Sequence, residues 1–268
     1  RSGALTGLSL GGFNYMDTPV RPDFWRVKID NDGWFKDGKY WKNAHQRCRL
    51  DTFTLSCERR KEGKREMIKS VKLSFKVLVN VDPEDETPDL SEVWFNTTYT
   101  VYPDATVKVE NEFLPVYYHA EREMSVPRIG QLFKLKGALE TVDWYGRGPW
   151  ENYADRKTSA LVGRYRMLVK ELAYAYVRPQ ENGYRTDVRE LTLSSPEGNG
   201  MKVTGLPFFC FNAQYAPKEN YEINGKPIRN TIDLKHEKDV FLNIDYGQMG
   251  VGGDNSWGNP VHVDYRVL

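Results

Sequence analysis

The sequence contains few of the residues that crosslink a chain or ligate metals. It has three cysteines, Cys48, Cys57 and Cys210, and four histidines among 268 residues. An odd number of cysteines without metal-ligand spacing argues against a disulfide framework, although a single Cys48–Cys57 bridge stays open. The histidines stand singly, with no second histidine four residues along, so no zinc site is predicted. We therefore expect no metal and no cofactor in this chain.

An excess of charge and a long apolar run are also lacking. The chain has 38 basic against 37 acidic side chains, so it lacks the broad positive field that favours nucleic acid or an anionic membrane. We interpret the short basic run Arg59-Arg60-Lys61, which Glu62 follows, as a surface turn. No apolar run approaches the roughly 20 residues of a membrane helix, and no leader pattern opens the chain. We expect a soluble protein with neither nucleic acid nor membrane as partner. Because the first residue is Arg1 rather than Met, we expect that a preceding segment was removed, and the compartment stays open.

The pattern that is present has a period of two. Val71, Leu73, Phe75, Val77 and Val79 alternate with other residues, as in a half-buried β-strand. Tyr40 to Leu50 instead has the spacing of a short helix. Further strand-like runs cover residues 93–101, 107–109, 130–136, 139–145, 189–193, 202–214, 240–246 and 261–267. The sequence therefore predicts an all-β chain.

One segment is a candidate linker. Residues 82–89 contain two prolines and five carboxylates in eight positions, a composition typical of a loop. The segment could separate two domains or be a long loop within one. Because the strand pattern is alike on both sides, we predict a single domain over residues 1–268.

Four aromatic residues lie in loops rich in glycine, proline and asparagine: Trp150, Tyr153, Tyr184 and Trp257. Trp257 ends the run Gly250-Val251-Gly252-Gly253-Asp254-Asn255-Ser256-Trp257, whose glycines permit a close backbone approach. Flat rings suit the apolar faces of pyranosides, and neighbouring polar groups suit their hydroxyls. The alternative is that these rings are buried, as most tryptophans are. The pattern alone leaves both interpretations open.

Several loop carboxylates are candidates for acid–base chemistry. A glycosidase needs two carboxylates that flank the scissile bond, and the candidates are Asp30, Asp32, Glu151, Asp155 and Glu181. Acidic residues beside glycine more often fix a turn, and the neighbourhood of Asp155 and Arg156 suggests an ion pair. No nucleophile elbow, phosphate loop or dinucleotide motif is present. The residues alone do not locate a catalytic pair.

Five motifs, in order and spacing, resemble the C-terminal domain of the large β-galactosidases of glycoside hydrolase family two. The resemblance spans almost the whole chain, and it is most specific in the last three motifs. The motifs are Pro22-Asp23-Phe24-Trp25-Arg26 with Asp30-Asn31-Asp32, Pro127-Arg128-Ile129-Gly130, residues 144–156 around Gly148-Pro149-Trp150-Glu151-Asn152-Tyr153, Pro179-Gln180-Glu181-Asn182-Gly183, and Asn243-Ile244-Asp245 with residues 249–257.

The resemblance implies a β-supersandwich with the galactose-mutarotase-like fold, in an enzyme that hydrolyses terminal β-D-galactosides. It places the catalytic glutamates in a (β/α)₈ barrel, which nothing here matches, so this chain is expected to carry no catalytic residue and to be inactive alone. The tryptophan that matches Trp257 contacts the sugar, and Asp254 and Asn255 lie beside it. The family often has aspartate where Asn255 stands. The implied partners are a β-galactoside and the barrel domain, and an oligomer is open.

Two functions of other classes stay open as alternatives. One is a free-standing carbohydrate-binding module whose loop aromatics hold a glycan. The other is an aldose mutarotase, since the implied fold is shared with enzymes that open the pyranose ring with a histidine and a glutamate. The four histidines stand in no recognisable catalytic setting, so the mutarotase ranks last.

Overall fold

The computed structural model describes residues 3–34, 38–81, 92–115, 125–253 and 261–267. Most of the regular structure in these ranges is β-strand, and the two α-helices have four residues each, so the all-β prediction is confirmed. None of the helices in the described part of the chain is long and apolar enough to span a membrane. In chain order the elements are β1 (Leu8–Leu10), β2 (Phe13–Met16), β3 (Arg21–Asp23), α1 (Gly38–Trp41), β4 (Cys48–Glu62), β5 (Arg65–Asn80), β6 (Glu92–Val101), β7 (Val107–Pro115), β8 (Arg128–Leu135), β9 (Thr141–Gly148), β10 (Leu161–Leu168), α2 (Val169–Leu172), β11 (Arg185–Ser194), β12 (Gly200–Gln214), β13 (Glu222–Ile223), β14 (Lys226–Pro227) and β15 (Val240–Gln248).

The chain divides into two compact units. Unit 1 comprises Arg1–Leu5 and Asn43–Glu123, and unit 2 comprises Thr6–Lys42 and Met124–Leu268. The candidate linker at 82–89 lies outside the described residues. The assignment of residues 1–268 to one domain stays a prediction.

Unit 1 contains a four-stranded antiparallel sheet in the order β4-β5-β6-β7. The alternating runs 71–79 and 93–101 lie in β5 and β6, as predicted, and they pair from Val71 with Val101 to Val79 with Val93. β4 and β5 extend beyond this ladder, because Arg65 to Ser70 lie N-terminal to the first β6 pair. In the described strands, this extension is a two-stranded ribbon.

The structure corrects one prediction about β4 and excludes one alternative that the sequence left open. The run at 59–61 lies in the strand, and the turn follows at Gly63 and Lys64. The ribbon is solvent-exposed, so it shows no apolar alternation in the sequence. Cys48 pairs with Val79 and Cys57 with Val71. The two cysteines are therefore about 30 Å apart along one strand, given about 3.3 Å per residue, and both are free.

Unit 2 contains a seven-stranded sheet in the order β10-β9-β11-β12-β15-β8-β3. Its core is formed by alternate residues of these strands, such as Val142 and Trp144 in β9 and Leu191 and Leu193 in β11. The predicted strands between residues 130 and 246 correspond to strands of this sheet. Small two-stranded sheets, β1-β2 and β13-β14, accompany it.

Two predicted elements differ from the structure. Residues 261–267 do not form a strand, because Val263–Tyr265 form a 3₁₀ turn and Val267 makes an isolated bridge with Val126. Val263 is exposed, so the apolar alternation there does not mark a buried face. The helix predicted at 40–50 is confirmed in part: α1 ends at Trp41, a 3₁₀ helix covers Ala44–Arg47, and β4 starts at Cys48.

Candidate functional site

The glycine-rich loop, Gly250 to Gly253 in the described residues, begins where β15 ends. The carboxylate of Asp155 accepts hydrogen bonds from the backbone N–H groups of Val251, at 3.1 Å, and Gly252, at 2.7 Å. The N–H of Gly250 donates to the carbonyl of Tyr265, at 2.9 Å. The base of the loop is therefore held in place by main-chain contacts.

Glycine is required in this loop because Asp155 lies so close to it. A Cβ atom on Gly250 would overlap the Asp155 carboxylate, and one on Gly252 would lie 3.0 Å from its Oδ2. A contact this short forces the neighbour to move. The carboxylate cannot move freely, because it already accepts the two loop N–H groups. The short distance between Asp155 and the loop backbone thus explains why the motif has glycine at positions 250 and 252.

Arg26 holds the same loop from a second motif. Its guanidinium is buried and forms a bidentate pair with Asp32, at 2.7 Å from Nη1 to Oδ2 and 2.9 Å from Nη2 to Oδ1. Nη2 also donates to the carbonyl of Gly250, at 3.4 Å. Bidentate pairs of this kind fix orientation as well as charge. Arg26 therefore ties the Asp30-Asn31-Asp32 motif to the glycine-rich loop.

A buried ionic cluster lies at the strand ends that carry the loop. Arg128 contacts Asp245 (Nε to Oδ2, 3.1 Å), Glu181 (Nη2 to Oε1, 3.3 Å) and Asp23 (Nη1 to Oδ2, 3.6 Å). Lys218 pairs with Asp23. Three carboxylates thus face two cations. No pattern in the sequence indicates a role for Lys218, and Arg128 belongs to a motif for which the sequence predicts no specific role.

The cluster shifts the pKa values of its carboxylates in opposite directions. Burial raises the pKa of Asp245 to about 7, against the opposing charge of Arg128. Burial would also raise the pKa of Asp23, but Lys218 and Arg128 hold it well below its ordinary value. A proton on Asp245 removes one negative charge from the cluster, which lowers the cost of burying it.

The candidate carboxylates all have structural contacts. Glu181 is buried and accepts the backbone N–H of Val27, at 3.0 Å, in addition to its contact with Arg128. Glu151 accepts the N–H of Gly183, at 2.8 Å, and Asp30 is paired with Arg178 at the surface. Asp32 and Asp155 hold the loop, as described above. Each of the five residues thus makes at least one structural contact.

The loop aromatics do not form one exposed surface. Tyr153 and Tyr184 are 1% exposed each, and their rings stack at 5.7 Å, so the structure excludes the interpretation in which these two rings face a sugar. Their burial agrees with the alternative given by the sequence. Trp150 is 68% exposed. Trp257, Asp254 and Asn255 lie outside the described residues.

Comparison with known proteins identifies the family. The model of the β-galactosidase small chain matches residues 1–268. This chain belongs to the β-galactosidase small-chain family. It is 33% identical over 260 residues to a β-galactosidase of Priestia megaterium, covering 95% of this chain and 23% of that protein. It is 29% identical to a β-galactosidase of Halalkalibacterium halodurans, over 98% of this chain and 24% of that protein. A β-galactosidase of Vibrio cholerae is 28% identical over 100% of this chain and 24% of its own length. The chain spans about a quarter of the length of the curated relatives that it matches.

Proposed function

We propose that this chain is the C-terminal part of a β-galactosidase and forms one wall of its active site. The longer enzyme hydrolyses terminal β-D-galactosides, and its catalytic carboxylates lie on a (β/α)₈ barrel outside this chain. In this proposal the chain itself supplies no catalytic residue and no cofactor. The observation that carries it is the match of the small-chain family to all 268 residues, together with relatives that are named β-galactosidase over about four times that length.

The contact with substrate is assigned to the far side of the glycine-rich loop. Trp257 stacks its indole on an apolar face of the galactoside, and Asp254 and Asn255 bind hydroxyl groups beside it. The anchored loop base supports this assignment, because Asp155 and Arg26 hold the residues that lead into the loop. A loop that is ordered before the sugar arrives loses less conformational entropy on binding.

Complementation tests the proposal. We expect the 268-residue chain alone to leave nitrophenyl-β-D-galactoside unhydrolysed, and activity to appear when the fragment with the remaining three quarters of the enzyme is added. The heat-denatured chain serves as the control for the mixture. Hydrolysis by the chain alone would contradict the placement of the catalytic carboxylates. A mixture in which the two parts co-elute but show no activity would contradict the proposal that this chain forms one wall of the active site.

A substitution of Trp257 tests the proposed contact between its indole and the sugar. In the full-length enzyme, we expect Trp257→Ala to lower kcat/KM about fivefold or more, because stacking on the sugar contributes about 1 kcal/mol or more. The melting temperature should stay within a few degrees of that of the parent. A large drop in melting temperature with unchanged kinetics would instead make Trp257 a buried core residue.

The same preparations separate the two alternatives. A free-standing carbohydrate-binding module predicts no gain of hydrolysis on mixing. An aldose mutarotase predicts that the chain interconverts α- and β-galactose faster than buffer. The family match favours neither alternative, because the matched relatives are named as hydrolases over much longer chains.

A further inference from the structure

A cleft of about 390 Å³ opens on unit 2, beside the base of the glycine-rich loop. We call it the Gln248 cleft. Gln248 and Tyr184 form its floor, and Phe208, Tyr246 and Tyr265 lie at its rim. Its volume is within the range of about 300–1,000 Å³ that small-molecule sites occupy. The proposed contacts of Trp257 leave this cleft without a role.

Three neighbouring strands are irregular where they reach the cleft. In β15, Tyr246 is an extra residue between Asp245 and Gly247, whose partners in β8 are the adjacent residues Gly130 and Ile129. Val188 and Glu190 of β11 are two residues apart. Their partners in β12, Phe209 and Thr204, are five residues apart. A bulge re-aims side chains, and bulges are frequent next to binding sites.

The bulged residues themselves line the cleft. Phe208 lies in the irregular stretch of β12, Tyr246 is the extra residue of β15, and Asp187 lies between the paired residues Arg185 and Val188 of β11. Asp187 has a φ of 53°, which is strained for a residue other than glycine. Irregular backbone on three adjacent strands thus brings these side chains to one place.

The floor offers a buried hydrogen-bond donor. Gln248 is 3% exposed, and its Oε1 accepts a bond from Arg128 at 2.5 Å. Because a guanidinium can only donate, this bond fixes the orientation of the amide. The Nε2 group then has no acceptor among the described residues. A buried donor without a partner carries a free-energy cost that a ligand oxygen would remove.

The rim combines aromatic surface with balanced charge. Tyr246 is 82% exposed, Phe208 is 52% exposed and Tyr265 is 41% exposed. Exposed rings on one cleft suit the apolar face of a pyranose. Two basic and two acidic side chains also line it, and these are Lys157, Arg266, Asp187 and Asp264. The charges balance, which favours a neutral ligand over an ion.

We propose that the Gln248 cleft binds a neutral saccharide of one or two pyranose units, at a site separate from Trp257. The amide of Gln248 donates to a sugar oxygen, and Tyr246 covers an apolar face of the ring. Burial raises the pKa of Tyr184 well above its ordinary value, so its hydroxyl stays protonated on the floor. This site does not depend on where the catalytic carboxylates lie.

A titration of the 268-residue chain tests this site. Methyl β-D-galactopyranoside, methyl β-D-glucopyranoside and lactose serve as probes, followed by saturation-transfer NMR and calorimetry. We expect saturable binding that Tyr246→Ala weakens about tenfold, as the loss of one ring contact predicts. Tyr174→Ala is the matched control, because Tyr174 is also exposed, at 60%, and lies outside this cleft.

Two further variants, Gln248→Leu and Trp257→Ala, complete the test of the Gln248 cleft. Gln248→Leu should weaken binding, and its melting temperature shows whether the fold is retained. The absence of saturable binding to the parent chain, or equal affinity in the parent and Tyr246→Ala, would overturn the site. Loss of binding in Trp257→Ala with full affinity in Tyr246→Ala would place the sugar at the aromatic loop instead. The complementation assay uses hydrolysis as its readout, so failure of the active-site wall is detected separately.

Discussion

At the scale of single residues, the contact of Asp155 with the glycine-rich loop makes a sharp prediction. We expect Gly250→Ala to lower the free energy of unfolding by about 1–3 kcal/mol, because its Cβ would overlap the Asp155 carboxylate. Urea denaturation measures the change. Gly7→Ala is the matched control, since a Cβ at Gly7 has no atom within 4 Å, and it should change stability by less than about 0.5 kcal/mol. Equal effects of the two variants would contradict the close contact.

The protonation of Asp245 predicts a pH dependence. Its pKa is raised from 3.8 to about 7 by burial, so the native state keeps a proton that the unfolded state releases. The free energy of unfolding therefore falls as pH rises from about 4 to about 7. The opposite contribution of Asp23, whose pKa is lowered, is lost only as pH falls below about 4.

Asp245→Asn should flatten this profile, because an amide does not titrate. Urea denaturation of parent and variant between pH 4.5 and 7.5 provides the comparison. Parallel profiles would show that Asp245 does not set the slope.

Residue roles were the least predictable part of the site. The sequence favoured structural over catalytic roles for Asp155, Glu181 and Asp32, and each of the three makes structural contacts. It could not show that Tyr153 and Tyr184 stack on each other, because glycine- and proline-rich loops usually lie at the surface. Nor could it find Lys218, whose carboxylate partner Asp23 is far away in the chain.

At the scale of elements, the β4–β5 ribbon is expected to be the least protected part of unit 1. Residues 65–70 pair with β4 beyond the end of the β6 ladder, and an isolated two-stranded ribbon is marginally stable. β6 has β5 on one side and β7 on the other. In hydrogen-exchange mass spectrometry, peptides covering 58–68 should exchange faster than peptides covering 93–99. Equal protection of the two segments would contradict this picture.

Strands were predictable wherever one face is buried. In β6, buried and partly buried residues alternate from Glu92 to Thr98, and the apolar pattern follows that alternation. Where both faces are exposed, as in the outer half of β4, the apolar pattern is absent, and the sequence predicts a turn where the structure has a strand. In residues 261–267 the alternation is present without a strand, since Val263 lies exposed in a 3₁₀ turn. Apolar alternation thus predicts a strand correctly where the alternating face is buried, and it fails at residues 261–267, where Val263 is exposed.

At the scale of the whole molecule, the ionic cluster links strands from both ends of the unit 2 sequence. Arg128→Met would leave three buried carboxylates with Lys218 as the remaining cation of the cluster. We expect a loss of about 3–5 kcal/mol in the free energy of unfolding, a large part of the 5–15 kcal/mol typical of a domain. Arg164→Met, at an exposed ion pair with Glu190, should cost less than about 1 kcal/mol. Similar melting curves for the two variants would contradict the role of the cluster.

The motifs that carry the resemblance meet in space. Asp23, Arg128, Glu181 and Asp245 come from four separate motifs and form one cluster. The sequence could supply the motifs and their order, and with them the family. It could not supply the contacts between them, because a pattern along the chain holds no information on which distant charges share one buried site.

The Asp155 contact also bears on which substitutions the glycine-rich loop can accept. Asp155 binds the loop through main-chain N–H groups, so the contact depends on backbone position and on glycine at positions 250 and 252. Residues 254–257 come after these anchored positions in the sequence. We therefore expect that their side chains can be exchanged, by mutation or by design, while Asp155 and the two glycines stay unchanged.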